Sequence, residues 1–431
     1  MTEGVLRIGV AGLGTVGLGV IRTLAAHGDL IARRAGQKIV VTAVSARERG
    51  RDRGVDLSPY AWVEDTAALA DHPEVDVVVE LIGGSEGTAL ALAERTLAAG
   101  KPLVTANKAL VARHGRALAT LAEAHGQPLL FEAAVAGGIP VLKALREGAA
   151  ANGVARVYGL LNGTCNYVLS RMESEGLDFA TVLADAQAAG FAEADPSFDV
   201  DGIDTAHKLA LLAALAFGTT PDFDAVATVG IRAIDKADIE QAASLGFRIK
   251  LVGLAEARDG KLFQRVHPAL VARDHPLATT GGALNAVVIE ADPVGRLFLQ
   301  GAGAGEGPTA SAVLADVIDV ALGRGGLPFG MPVAALTALA NDDGAAREAR
   351  FYVRLSVADR PGVLAELTAI LRDQGVSIES LIQRPHAGEG LASLVMVTHV
   401  TAEAAMAASL AAMAASGSVH GAPVMMHILD F

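Results

Sequence analysis

VAGLGTVG, residues 10–17, decides how this chain is read. It continues VLRIG, an apolar run that reads as a buried strand, and opens TVGLGVIRTLAAHG, which reads as a helix closed by Gly28. Such a turn can be no more than a tight bend. Between a first strand and a helix, however, each residue has a distinct physical use. Gly12 permits the bend, Gly14 lets a pyrophosphate reach the backbone, and Gly17 lets helix and strand pack closely. The first helical N–H groups, at Thr15 and Val16, lack intrahelical acceptors and lie at the positive end of the helix dipole. The turn is expected to bind a dinucleotide.

Downstream, strand-like and helix-like segments alternate. KIVVTAVSA and VDVVVELIG read as strands, EGTALALAERTLAAGK as a helix, PLVTAN as a strand, KALVARHGRALATLAEAHG as a helix and PLLFEAAV as a strand. Continuous apolar strands separated by helices indicate a parallel sheet covered on both faces. Residues 1–150 are therefore expected to form a doubly wound Rossmann domain. From 151 to 320 the pattern becomes mixed α+β, with ARVYGLLNG, KLVGLAEA, LFQRVHPAL and NAVVIEAD as strands. NDDGAAREAR, residues 341–350, is polar and reads as a linker. Residues 351–431 spell β-α-β-β-α-β, a small ferredoxin-like domain.

The bulk composition narrows the function. With 431 residues the chain exceeds one ordinary core, and 35 basic against 48 acidic residues give a net charge of −13. That balance argues against nucleic acid or an anionic membrane as partner. The single cysteine, Cys165, excludes an intrachain disulfide and suits a reducing, cytoplasmic location. The apolar stretch from Ile8 to Ile21 has no basic segment before it and carries five glycines, so it does not read as a secretory signal. Leu209–Phe217 is about half the length needed to cross a bilayer.

An NAD-selective site ends its second strand with an acid that holds the ribose 2′-OH. Here the strand runs into Ser45-Ala46-Arg47-Glu48-Arg49. A hydroxyl followed by arginines suits a 2′-phosphate, which favours NADP and leaves NAD open. The alternative is a merely solvated basic loop.

ELIGGSEG (80–87) and VTANK (104–108) end the third and fourth strands, where open α/β sheets place ligands. Lys108 starts a helix, an electrostatically poor place for a cation, so a cofactor or substrate partner explains it better than structure does. GFAEADPSFDVDGIDTAHKLALLAALA, residues 190–216, crowds Glu193, Asp195, Asp199, Asp201 and Asp204 before an apolar helix. Asp204 and Lys208, four residues apart, share one helical face. One reading is acids complementing a helix dipole beside a surface ion pair. Calcium is a poorer one, because DVDGID lacks the glycine position and the twelfth-position glutamate of an EF-hand. The third is a catalytic lysine, since burial at the start of an apolar helix lowers its pKa and makes it a usable proton donor. FEAAVAGGIP (131–140) and LNGTCNY (161–167) read as loops of small residues where backbone can approach a ligand. Cys165 has no nearby histidine and reads as a packing residue.

In this order, GLGTVG, VTANK, FEAAVAGGIP, NGTCNY, GFAEADPSFDVDGIDTAHK and GAGAGEGPTASAV span essentially the whole chain and resemble the homoserine dehydrogenase family. The last 80 residues, with DRPGVLA at 359–365, resemble an ACT regulatory domain. The resemblance implies NAD(P)-dependent interconversion of L-homoserine and L-aspartate 4-semialdehyde. By it, Lys208 donates a proton to the aldehyde oxygen, Asp204 positions Lys208, and Lys108 stands between cofactor and substrate. Glu193, with Asp199 and Asp204, would face the amino acid. Glu132, Val135, Gly137 and Ile139 would hold a monovalent cation, Na or K. Gly303 and Gly305 would return to the cofactor, with a segment near 300–340 completing the first domain. The 151–320 unit would be catalytic and mediate assembly into a homodimer or homotetramer, and threonine would be the effector of the ACT domain.

Another Rossmann dehydrogenase for an amino acid or sugar would share the glycine turn but not the Glu193, Asp204 and Lys208 spacing. A non-catalytic NADP sensor would require Lys208 to lie away from the nicotinamide. Arg47→Ala is expected to raise the KM for NADPH more than that for NADH, because only NADPH carries a 2′-phosphate for the guanidinium to grip. Equal effects in steady-state assays would show that the basic loop is only solvated.

Overall fold

The computed structural model describes residues 4–190, 192–385 and 390–430; Phe191, within the acid-rich stretch, lies outside them. The N-terminal part holds β1 (Val5–Ala11), α1 (Thr15–Ala35), β2 (Lys38–Ser45), β3 (Ala61–Trp62), β4 (Val77–Glu80), α2 (Thr88–Ala98), β5 (Leu103–Thr105), α3 (Lys108–Ala124) and β6 (Leu129–Leu130). The six strands form one parallel sheet in the order β3-β2-β1-β4-β5-β6. Their unbroken apolar character follows from two buried faces. Val77 and Val79 join one core while Val78 joins the other, and Val104 and Leu103 divide in the same way.

A helix from much later in the chain, Glu306–Ala321, covers one of those faces. Its Ala310, Val313 and Val317 share a core with Ile8 and Val10 of β1. It crosses α1 so closely that a Cβ on Gly19 would lie 2.7 Å from the Glu306 side chain and 3.1 Å from Ala310.

Two local expectations change. Helix α1 does not stop at Gly28; it kinks at His27 (φ −124°, ψ 15°) and continues to a left-handed Gly36 at φ 72°. Ile31 and Ala35 extend its buried stripe, so packing carries the helix past the glycine. In PLLFEAAV only Leu129–Leu130 is strand, and Glu132–Ala134 is a short 3-10 turn. The Glu132 carboxylate there turns back to accept the N–H groups of Leu142 and Lys143, both at 2.9 Å.

A second sheet runs Gly295–Ala302, Leu284–Asp292, Gly153–Leu160, Phe247–Arg258, Lys261–Ala272, Val419–Leu429, Glu348–Ala358, Leu391–Thr398, Ile378–Pro385. Asp259 (φ 51°) and Gly260 (φ 73°) close the hairpin between Arg258 and Lys261, with both central residues at the positive φ that matches strand twist. The helices Gly163–Glu175 and Ile203–Phe217 pack on this sheet.

The last four strands and the helices Val363–Asp373 and Glu403–Ala414 form the ferredoxin-like unit around Phe351, Val353, Leu367 and Met406. That unit is not set apart from the rest. Ala269–Val271 pairs in parallel with His427–Leu429, so both units share a sheet. The polar stretch 341–350 is laid down as well: Ala340–Asn341 pairs with Lys261–Leu262, and Glu348–Ala349 pairs with Thr401–Ala402. Buried Asp238 accepts from Tyr352 Oη at 2.9 Å and Arg354 Nε at 2.7 Å across the junction.

Candidate functional site

At the glycine turn, three glycines are required for three different reasons. Gly12 takes φ 100°, donates its N–H to Ser45 O at 2.9 Å, and would place a Cβ 2.4 Å from Leu81 O. A Cβ on Gly17 would lie 2.0 Å from Gly12 O, whereas one on Gly14 would meet nothing within 4 Å. The open approach at Gly14 leads to the start of α1, beside Thr15 and Val16. That helix has no side-chain cap and no acid in its first turn. Its N–H groups and dipole are thus available to an anion.

The end of β2 differs from its sequence reading in one respect. Ser45 is buried and its hydroxyl is engaged with Thr66 Oγ1 at 2.8 Å, so it does not serve as a phosphate reader. Arg49 leans toward Glu64 at 3.7 Å, and Arg53 lies over the Trp62 ring at 5.7 Å. Arg47 is exposed and has no side-chain partner among the described residues.

The centre of the site is Asp204, in the first turn of Ile203–Phe217. Gly202 enters that helix in the left-handed region at φ 85°. Asp204 Oδ1 lies 2.8 Å from Lys108 Nζ, and Oδ2 lies 2.7 Å from Lys208 Nζ. Lys108 is the first residue of α3, capped by Asn107, whose Oδ1 accepts Leu110 N–H at 3.1 Å. One carboxylate therefore joins a lysine from each of the two large domains. Lys208 also donates to Leu161 O at 2.7 Å. Burial pushes the Lys208 ammonium below its usual pKa, and Asp204 only partly offsets this. Burial opposes ionisation of Asp204, but Lys208 and Lys108 prevail and hold its carboxyl well below the usual range.

Asn162, in the stretch LNGTCNY, is a bridge. It caps the helix Gly163–Glu175 by accepting Cys165 N–H at 2.8 Å. Its amide nitrogen donates to Asp199 at 2.8 Å and Asp204 at 2.9 Å. Thr164 donates to the other Asp199 oxygen at 2.9 Å. The signal was present, since asparagine before Gly-Thr is a helix N-cap pattern. Cys165 is buried, its Sγ 3.2 Å from Asp199 O, and burial pushes its thiol up, as a packing role requires.

The five acids separate in space. Asp199 and Asp204 meet around Asn162. Asp201 pairs with Arg232 at 2.5 Å, and Asp195 caps Ser197 N–H at 3.1 Å. Glu193 is exposed, and its side chain has no partner among the described residues; its carbonyl accepts from Gln187 at 3.0 Å.

The FEAAVAGGIP loop packs against the returning glycine turn. Gly138 N–H donates to Ala302 O at 3.0 Å, and a Cβ on Gly137 (φ 54°) would lie 2.5 Å from Gly303 O. Gly305, at φ 112°, then starts Glu306–Ala321. Glu132 is buried beside Asp316, whose carboxylate accepts Glu132 N–H at 2.9 Å. Burial, with repulsion from Asp316, pushes the Glu132 carboxyl up to about 7. Val135 and Ile139 are buried, and the carbonyls of Val135 and Gly137 accept no backbone hydrogen bond among the described residues.

Gly14→Ala is expected to keep the melting temperature and lose cofactor affinity, because the added methyl fills only the open approach. Gly17→Ala is expected to lose both, because its methyl must displace backbone. Thermal unfolding and fluorescence titration with NADPH separate the two effects, and equal melting temperatures would contradict the assignment.

Comparison with known proteins agrees with this geometry. The family description "Homoserine dehydrogenase, NAD binding domain" matches residues 12–132, "Homoserine dehydrogenase" matches 140–318, and "ACT domain" matches 351–415. A homoserine dehydrogenase of Pseudomonas aeruginosa is 42% identical over 430 residues, covering 98% of each chain. The crystal structure of a homoserine dehydrogenase from Thiobacillus denitrificans superposes with a TM-score of 0.92 at 40% identity, covering 99% of each chain. A hyperthermophilic archaeal homoserine dehydrogenase mutant, in complex with NADPH, is 26% identical with a TM-score of 0.64, over 74% of this chain and 98% of its own. Similarity at this level over nearly the full length means that the chain belongs to the homoserine dehydrogenase family, oxidoreductases that use a nicotinamide cofactor.

Proposed function

We propose that Lys208 is the proton donor of this homoserine dehydrogenase and that Asp204 positions it. The observation that carries the reading is the Asp204 carboxylate held at 2.7 Å and 2.8 Å between two lysines, one of them desolvated. When bound, a nicotinamide would supply a hydride to the aldehyde carbon in one direction and accept it in the other. As hydride arrives, the carbonyl electron pair moves onto oxygen. Lys208, its ammonium destabilised by burial, transfers a proton there and completes the alcohol. Asp204 keeps that lysine oriented toward Leu161 and holds Lys108 beside it. Asp199 and Asp204, which meet around Asn162, supply carboxylates suited to the substrate ammonium, and Glu193 would add another from the exposed stretch before them.

NADP is the cofactor we assign, on Arg47, exposed just beyond β2 with no side-chain partner among the described residues, and on a strand tip at Ser45 that carries no acid. Gly12, Gly14, Thr15, Val16 and Gly17 would hold the pyrophosphate, with Gly303 and Gly305 closing from the returning turn. For the monovalent cation, the residues present fit. The Val135 and Gly137 carbonyls have no backbone donor among the described residues, while Ile139 O already accepts Val141 N–H at 2.7 Å; Lys143 stands 3.4 Å from Asp316, so buried Glu132 is the acid that gains from a further positive charge. Na or K suits oxygen donors of this kind. The edge strand Gly295–Ala302, with exposed Phe298, favours self-association as a homodimer or homotetramer.

Lys208→Ala is expected to lower kcat by about 10²–10⁴-fold while NADPH affinity is retained. Asp204→Asn is expected to cost less, because it keeps a hydrogen-bond acceptor. Near-normal turnover of Lys208→Ala would overturn the assignment. At the ACT domain, threonine is the proposed effector, near the turn Asp359–Gly362, where Gly362 takes φ 97°. Millimolar threonine is expected to slow the full-length enzyme; an unchanged rate would leave the domain with a structural role.

A further inference from the structure

Between the ACT domain and the loop that carries Asp199 runs a continuous strap, residues 229–238. Its far end is gripped by the ACT strand Glu348–Ala358. Arg354 donates to Asp238 from Nε at 2.7 Å and from Nη2 at 3.0 Å, pairs with Asp235 at 2.9 Å, and donates to Ala233 O at 3.3 Å. Tyr352 completes the Asp238 shell. Asp238 is fully buried, so these partners are obligatory: an unpaired carboxylate there would be strongly unfavourable. Asp235 and Asp238 also cap the helix Lys236–Ser244 reciprocally, each accepting the other's N–H at 3.0 Å. The grip therefore sets where the strap ends.

The near end of the strap seats the substrate loop. Ile231 N–H donates to Val200 O at 2.9 Å, and a Cβ on Gly230 would lie 2.2 Å from the same oxygen. Arg232 pairs with Asp201 at 2.5 Å and donates to Ser197 Oγ at 2.9 Å. Val229 N–H donates to Val266 O at 2.7 Å, fixing this end to the sheet. Residues 197–202 are thus held from behind by the strap, while Asp199, in the same turn, points forward to Asn162 and Thr164.

From this arrangement we infer that Arg354 is a positioning residue for substrate binding, acting through the strap and Arg232 on the loop that bears Asp199. The inference rests on the reading of Asp199 as a substrate-facing carboxylate. It gives the ACT domain a role in the geometry of the active site that requires no effector. The glycine turn at residues 12–17 lies on another sheet, so cofactor affinity is expected to change little when the strap is cut.

The test compares full-length Arg354→Met, Arg232→Met, the double variant, Arg354→Lys and Asp199→Ala. For each, kcat, the KM for aspartate 4-semialdehyde and the NADPH Kd by fluorescence are measured. Arg354→Met is expected to raise the KM by about 2- to 30-fold, the span that changes along a connecting network produce, with an unchanged NADPH Kd. The double variant is expected to be no worse than the stronger single one, because both changes cut the same connection. Arg354→Lys, which keeps the charge but loses the fork, is expected to restore part of the loss. An unchanged KM, multiplied effects in the double variant, or a parallel loss of NADPH affinity would overturn the inference. If Arg354→Met does not fold, Asp238→Asn/Arg354→Met, which removes the fully buried charge along with its partner and leaves only half-buried Asp235 without one, takes its place in the same comparison. An Asp199→Ala enzyme with normal KM would instead overturn the substrate reading itself.

Discussion

The carboxylate of Asp204 is the point on which the two large domains converge. It draws Lys108 from the first helix beyond a Rossmann strand and Lys208 from a helix of the second sheet into contact with one group. Neither lysine is well placed without it. Lys108 opposes the dipole of the helix it starts, and Lys208 stands in an almost wholly buried helix. Burial and charge compete at this point, and they are resolved differently in the two partners. The acid gains two cations and remains ionised, while Lys208 gains one anion and is still disfavoured as an ammonium. A lysine in that condition is suited to giving up a proton.

Around this centre, close approach of backbone to backbone matters as much as charge. The turns at Gly17 and Gly137 each meet a peptide group from a neighbouring segment at a separation that no side chain allows. Gly303 meets the side chain of Asn285 as tightly, with a built Cβ only 2.0 Å from its Cγ. These contacts bring the start of α1, the loop after β6 and the returning turn before Glu306 to one side of the first sheet. The returning helix then completes a core begun three hundred residues earlier, so the first domain depends on a segment that follows the second.

The C-terminal domain alters the picture of independent modules. Its own apolar core would allow it to fold as a unit. Yet its last strand extends the catalytic sheet, Arg265 pairs with Glu403, and Arg347 reaches Glu256 at 2.5 Å. The second of these pairs lies in 341–350, the stretch whose polar composition reads as a linker. Polarity in that stretch reflects ion pairing across an interface.

Local pattern alone carried the alternation of apolar strands and helices, the three glycines after β1, and the i,i+4 relation of Asp204 and Lys208. Each depends on neighbours along the chain, so residue order is enough to reveal it. The same local reading failed at Gly28 and in PLLFEAAV, where burial of Ile31 and hydrogen bonds from Leu142 and Lys143 overrode it. It also grouped five acids that the fold divides: Asp195 accepts Ser197 N–H, Asp201 pairs with Arg232, Asp199 and Asp204 meet around Asn162, and Glu193 is exposed. Which lysine shares Asp204 with Lys208, that Ser45 is consumed by Thr66, and that Asn162 joins Asp199 to Asp204 were decided only by tertiary structure. Those contacts link residues 21 to 96 positions apart, and such pairings arise from how sheets and helices pack, which no periodicity in the chain encodes.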